Sequence, residues 1–298
     1  MESAVLFLIF NRPEPTTTVF EAIRRARPPR LYIAADAPRS HKAGEAELCA
    51  RSRQIVTNVD WPCEVRSLLR DENLGCRRAV SSAISWFFEH EEQGIILEDD
   101  CLPAPDFFRF CDQALARWKD DERVMHVGGS VLLERSHRRP AFSRLIPIWG
   151  WATWRRAWRL YDSEMEQFEK LQRLPLQQWY GSQHRNVIRA IKQIKDGNVD
   201  AWGARWVLSV LARSGFSLLP PVNLISNIGF GAGATHTKVV THLSNVAVGR
   251  LVDHIPDPPG DNADPAYDEA YLKILNKNSN LMLRAMKKLV RALGMERD

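Results

Sequence analysis

Gly94-Ile95-Ile96-Leu97-Glu98-Asp99-Asp100-Cys101 runs a short apolar segment directly into three consecutive carboxylates. The apolar part reads as a strand of a sheet covered on both faces. Adjacent like charges at the mouth of such a low-dielectric core are costly unless a cation or solvent compensates them. Carboxylate oxygens are hard ligands suited to Mg²⁺ or Mn²⁺. A divalent ion held there could bridge a diphosphate and neutralise charge on a leaving group. The competing explanation is a solvated acidic turn that also caps a helix starting near Pro105-Asp106.

Working outward, similar apolar runs occur at Val5–Phe10, Leu31–Ala35, Val65–Leu69 and Val124–Val127. Between them lie segments with helical spacing at Thr16–Ala26, Leu48–Val59 and Ala79–Phe88. Strands alternating with helices predict an α/β fold with a mostly parallel sheet, whose ligands sit beyond the carboxyl ends of the strands. Four of those ends are polar or glycine-rich: Asn11-Arg12, Asp36, Glu98-Asp99-Asp100 and Gly128-Gly129-Ser130. The second half is more helical, with helices expected at Arg155–Tyr161, Leu176–Asp196 and Ala204–Ser214 and short strands at Phe216–Leu219 and Asn223–Ile228. The 298 residues carry a net charge of +5 and are 45% hydrophobic. That suffices for a sizeable core, and the modest basic excess suits phosphate-bearing ligands or an anionic surface without arguing for nucleic acid. Five cysteines with no C-x-x-C pair argue against a disulfide framework and against zinc.

Three further stretches carry candidate chemistry. Trp149-Gly150-Trp151-Ala152-Thr153-Trp154-Arg155-Arg156-Ala157-Trp158 holds four of the ten tryptophans, which either line a pocket or dock from a helix into the core. Asn223–Thr237 runs from a short strand into a glycine-rich loop ending at His236, a candidate non-carboxylate metal ligand. Asp200, in Asp200-Ala201-Trp202-Gly203, is the best-placed carboxylate of the second half for a general base, or else a helix N-cap.

Together, Phe10-Asn11-Arg12-Pro13, Asp36, Glu72-Asn73-Leu74-Gly75, Leu97-Glu98-Asp99-Asp100, Pro103–Phe110, Gly150-Trp151-Ala152-Thr153-Trp154 and Asn227–Thr237 resemble a GT-A-type glycosyltransferase. The group is a family of bacterial nucleotide-diphospho-sugar transferases related to the N-acetylglucosaminyltransferase I family. The resemblance spans residues 5 to about 238. It implies a GT-A fold, with a mixed, mostly parallel sheet flanked by helices. It implies Asp100 as direct ligand of Mn²⁺ or Mg²⁺, with Glu98 and Asp99 nearer the sugar and ribose. Arg12 would touch the diphosphate and Asp36 the base or ribose of a uridine nucleotide. Gly150-Trp151 would form the acceptor-side wall, and His236 would sit by the metal or diphosphate. Some relatives carry a carboxylate directly after the tryptophan matching Trp202; here it is Gly203, which leaves Asp200 as the expected base.

The expected activity is inverting, metal-dependent transfer of a hexosyl or N-acetylhexosaminyl group from a UDP-sugar to a carbohydrate, lipid-linked or protein acceptor. Two alternatives stay open: a nucleotidyltransferase that makes the nucleotide-sugar, and a non-catalytic module that binds it. Residues 1–250 are expected to form the catalytic domain. Residues 251–298 would form a linker, around Pro256–Pro265, and a basic amphipathic helix. Its segment 281–293 would make a peripheral membrane contact in an otherwise cytoplasmic protein.

Overall fold

The first apolar run forms β1 (Ala4–Ile9), every residue of which is buried. Its odd-numbered side chains Val5, Phe7 and Ile9 enter one core and its even-numbered Ala4, Leu6 and Leu8 another. Burial on both faces is why the run is continuous rather than alternating. β2 (Arg30–Ala35) pairs parallel on one side of β1, and β3 (Glu64–Leu69) pairs parallel beyond it. β4 (Gln93–Glu98) pairs parallel on the other side. The structure is a computed structural model that describes residues 1–132, 139–197, 202–229, 246–252, 257 and 262–274.

The remaining strands are β5 (Cys101–Pro103), β6 (Val124–Gly128), β7 (Ala141–Ser143), β8 (Trp151–Trp154), β9 (Phe216–Leu219) and β10 (Ile225–Asn227). The main sheet has the order β3-β2-β1-β4-β8-β6-β9-β7, with only β7 and β8 running against the rest. This is the α/β class with the mostly parallel sheet that the alternating pattern predicts, mixed as the resemblance implies. Helices α1 (Pro13–Ala26), α2 (Glu45–Ile55), α3 (Gly75–His90) and α4 (Pro105–Arg117) alternate with the first strands. Short helices α5 (Arg155–Trp158), α6 (Phe168–Leu171) and α7 (Leu176–Tyr180) precede α8 (His184–Lys195) and α9 (Trp202–Leu211). α1 and α4 cover the core that holds Phe7, while α3, α5 and α9 cover the core that holds Leu6.

The tryptophan-rich segment is a strand, Trp151–Trp154, that runs directly into the short helix α5, Arg155–Trp158. β8 lies between β4 and β6, so its side chains alternate into the two cores, Trp154 with Phe7 and Trp151 with Leu6. The helix expected over Leu176–Asp196 is broken at Gly181, which has φ +53. A Cβ there would fall 2.4 Å from the carboxylate of Glu269, which takes the N–H and hydroxyl of Ser182.

After the Pro/Asp/Gly-rich stretch, residues 265–274 are helical and return to the body, where Tyr267, Tyr271 and Leu272 pack with Tyr180, Leu208 and Leu219. Asp268 is fully buried; it accepts from the Ser143 hydroxyl and from the Arg144 N–H at 2.7 Å. Burial pushes its carboxyl up to about 7, against the pull of those two donors. The native state thus holds a proton that the unfolded chain gives up near pH 4, so stability falls as pH rises from about 4 to about 7. Asn in its place matches the protonated acid, donating to Ser143 Oγ and accepting from the Arg144 N–H. Asp268→Asn is expected to be neutral at pH 5 and stabilising by on the order of 2–4 kcal/mol at pH 8. Urea melts at both pH values check this; equal shifts at the two would remove the buried proton. The segment 281–293 lies outside the described residues, and among those described no helix is long and apolar enough to cross a membrane.

Candidate functional site

The carboxyl ends of β1, β2 and β4 open onto one cleft of about 350 Å³. Its polar side carries Asn11, Arg12, Asp36, Arg39, Asn73 and Glu98-Asp99-Asp100. Its apolar side carries Ala79, Val80 and Ala83 of α3 with Ile148, Trp149 and Trp202. Residues distant in sequence thus meet where a parallel sheet places ligands.

Arg12 sits at the entry to α1, its carbonyl accepting from the N–H of Thr16 at 3.0 Å and its hydroxyl at 2.7 Å. Its guanidinium turns onto the acidic run, 2.5 Å from Asp99 and 2.9 Å from Asp100. Burial pulls the guanidinium pKa down, but the two carboxylates outweigh it and raise it. Asp99 is buried and also accepts the Phe10 N–H at 3.1 Å. Burial pushes Asp99 up to about 6 against the pull of Arg12, which leaves it ionised at neutral pH. Asp99 is therefore an internal brace between β1 and β4, with Arg12 on one oxygen and the Phe10 N–H on the other.

Glu98 faces the same cleft, and its side chain has no hydrogen-bond partner among the described residues. Burial, then Asp100 and Asp99, pushes it up to about 8. The acidic run ends β4 at Glu98 and fills the turn to β5 with Asp99 and Asp100, and β5 pairs with β10. That pairing brings the Asn223–Gly229 segment back onto the run, with the Ile228 N–H on the Asp100 carbonyl at 2.8 Å. Gly229 fits there because it lacks a side chain; a Cβ would lie 2.2 Å from Asp100 Oδ2 and 2.6 Å from Arg12 Nη1.

Asp36 lines the cleft but is committed elsewhere. Its two oxygens accept from the N–H groups of Ala37, Leu74 and Gly75 and from the Asn73 amide, each at 2.9–3.0 Å. The Glu72-Asn73-Leu74-Gly75 motif is thus the clamp that fixes the start of α3 to the end of β2, with Gly75 at φ +76. These four donors fill the lone pairs of Asp36, and beside it the Asn73 side chain also lines the cleft. Asp36→Ala is expected to cost about 2 kcal/mol by stranding those donors beside a helix N-terminus. A urea midpoint matching the wild type would show the clamp to be idle.

Gly150 and Trp151 are buried and are not among the residues lining the cleft. Trp151 is fully buried, stacked between His126 and Trp202 at centroid distances of 5.0 and 5.8 Å. Gly150 backs onto Ile225, whose Cδ1 would lie 2.3 Å from an added Cβ. The alternation of β8 turns position 151 into the core and leaves Trp149 and Ile148, just before the strand, to line the cleft. Gly128-Gly129-Ser130 is likewise absent from the cleft lining, because β8 separates β6 from β4. Asp200 and His236 lie outside the described residues.

Sequence reasoning missed three groups. Glu45, at the start of α2, is 1% exposed and holds the Asn11 amide at 2.7 Å together with Arg39 and Lys42. The hydrogen bond from Arg39 pulls Glu45 down to about 2. Arg39 stacks 5.7 Å over Phe10, and Arg70 lines the cleft bonded to the Ser82 hydroxyl rather than to a carboxylate. Neither arginine stands in a motif; only the position of Arg70 just beyond a strand end could have flagged it.

Among the described residues no group of three or more His, Cys, Asp or Glu is arranged to hold a metal by itself. Asp100 places a hard carboxylate oxygen at the cleft beside Glu98, a donor that could join substrate phosphates around a Mg²⁺ or Mn²⁺.

No protein-family model matches the chain, and no curated protein does. Among solved structures it is similar to the mannosyltransferase PcManGT of Pyrobaculum calidifontis in complex with GDP-Man and Mn²⁺ (12% identity, 71% of this chain and 69% of that one, TM-score 0.37). It is also similar to a UDP-glucose pyrophosphorylase (10%, 76% and 93%, 0.35). A third is the glycosyltransferase GlyE of Streptococcus pneumoniae (12%, 73% and 44%, 0.33). Likeness at this level assigns neither ligand nor reaction to this chain.

Proposed function

We propose that the protein is a GT-A-type glycosyltransferase that takes a sugar from a nucleotide-diphosphate donor, a UDP-sugar, bound in the cleft at the ends of β1, β2 and β4. The observation that carries this reading is the meeting of Arg12, Asn73, Arg39 and Arg70 with Glu98 and Asp100 around one cleft. Arginines beside a hard-ligand carboxylate suit a diphosphate with its counter-cation. When bound, Mn²⁺ or Mg²⁺ would neutralise charge on the departing nucleotide diphosphate, with Asp100 contributing a carboxylate oxygen. His236 remains the proposed additional ligand. Arg12 keeps the acidic run compensated before any ligand arrives. Glu98, without a partner among the described residues, is the carboxylate free to meet the sugar hydroxyls. Asp200 remains the proposed base for inverting transfer. A side chain at 203 would require Ile148 to turn aside, since a Cβ there lies 2.3 Å from Ile148 Cδ1.

The alternative, formation of the nucleotide-sugar, is less well supported. α1 starts at Pro13, directly after Asn11-Arg12, and leaves no room for a glycine-rich loop to cradle a triphosphate. A thermal-shift screen of nucleotide-sugars with and without Mn²⁺ tests the reading; stabilisation that needs both supports it. Free nucleoside diphosphate as product supports transfer, pyrophosphate supports the alternative, and donor binding without turnover across an acceptor panel supports a binding module.

A further inference from the structure

β3 is the outermost strand of the sheet, exposed at five of its six residues, and no described strand pairs with its outer edge. A long exposed edge with apolar side chains is a template for another strand, and proteins usually blunt such edges. Here Val65 and Leu69 are 42% and 46% exposed. They lie on the same face of the strand, with Ser67 between them.

The backbone fixes which groups are free. The Glu64 N–H donates to the Pro29 carbonyl at 2.9 Å and the Arg70 N–H to the Ala35 carbonyl at 2.9 Å. In a parallel ladder of this register the even-numbered residues of β3 turn their N–H and C=O groups to β2. Val65, Ser67 and Leu69 turn theirs outward. We propose that two copies of this chain associate through antiparallel pairing of β3 with β3, with the two-fold axis at Ser67.

In that register Val65 of each copy faces Leu69 of the other, and Ser67 faces itself. Every outward backbone group of the three residues then finds a partner, and the two apolar pairs cover each other. The same register sets Glu64 of each copy opposite Arg70 of the other, so the charges complement. A shift by one residue would lose all of this, because it would pair outward groups with inward ones. Leu68 and Arg70 also line the cleft, so the second copy's Glu64 stands at its rim. The pairing makes one continuous sheet across the dimer, and it does not depend on which ligand the cleft takes.

Sedimentation velocity of the full chain at micromolar concentration is expected to show a dimer. Val65→Lys/Leu69→Lys places like charges across both apolar pairs and is expected to weaken association at least about tenfold. Both positions are exposed, and circular dichroism of the variant should match the wild type. Register is read by oxidative cross-linking against the wild-type background. Ser67→Cys should form an inter-chain disulfide, since facing hydrogen-bonded residues have Cα atoms about 5.5 Å apart. Leu69→Cys should not, its symmetry mates being about 13 Å apart. A monomer in sedimentation, a dimer indifferent to the lysine pair, or equal cross-linking at 67 and 69 would each overturn the proposal.

Discussion

Asp100→Ala is expected to lower sugar transfer by about a thousandfold or more and to leave the melting temperature within a few degrees of the wild type. The two halves of that expectation have separate causes. Asp100 faces the cleft and keeps some exposure, with 17% of its side chain accessible. Its removal takes away the hard oxygen proposed to meet the donor's counter-cation. For stability, two opposing effects meet. Arg12 loses one of its two carboxylates but keeps Asp99 at 2.5 Å. Glu98, raised first by burial and next by Asp100, is relieved of a neighbouring charge. Calorimetry with UDP and Mn²⁺ together should show affinity reduced on the order of a hundredfold, equivalent to about 3 kcal/mol. Unimpaired transfer by a folded Asp100→Ala variant would remove the acidic run from the chemistry.

Much of the parallel half of the sheet is legible in the sequence because its signal is local. Val5–Phe10, Leu31–Ala35 and Gly94–Leu97 are apolar without interruption because helices cover both faces, and they form adjacent strands in the order that places their polar ends together. β8 is illegible for the opposite reason. Trp151-Ala152-Thr153-Trp154 has neither the length nor the β-branched content of a strand and becomes one only by lying between β4 and β6. Only that insertion turns Trp151 into the core and sets Gly128-Gly129-Ser130 away from the cleft lining.

Within the site, residue types were legible but commitments were not. Asp36 and Asp99 are carboxylates at strand ends, as the chemistry requires, yet each spends its oxygens on the protein itself. Sequence position cannot separate a carboxylate that binds a ligand from one that holds the loop beside it, because the hydrogen-bond donors come from residues up to 89 positions away. Glu45 shows the same limit: it supports Asn11 and Arg39 from a helix start that carries no distinguishing motif.

The largest stability effect is expected at the pair Arg12 and Asp99. Asp99 is 3% exposed and the Arg12 side chain is 19% exposed, so removing either one leaves its partner's charge in a poorly solvated place. Such a break costs about 3–5 kcal/mol. Arg12→Ala should sit near the upper end, since it strands Asp99 and Asp100 together beside Glu98. Asp99→Ala should sit lower, because Arg12 keeps Asp100 at 2.9 Å and only the Phe10 N–H loses its acceptor. In the double variant Arg12→Ala/Asp99→Ala one buried charge no longer lacks its partner. Its destabilisation should therefore fall short of the sum of the singles by about 2 kcal/mol, the size of coupling expected of residues in one network. Urea unfolding of the four proteins completes the cycle. Deficits that add to within about 0.5 kcal/mol would mean that Arg12 serves Asp100 alone, and the brace between β1 and β4 would then rest on the Phe10 N–H and the sheet ladder.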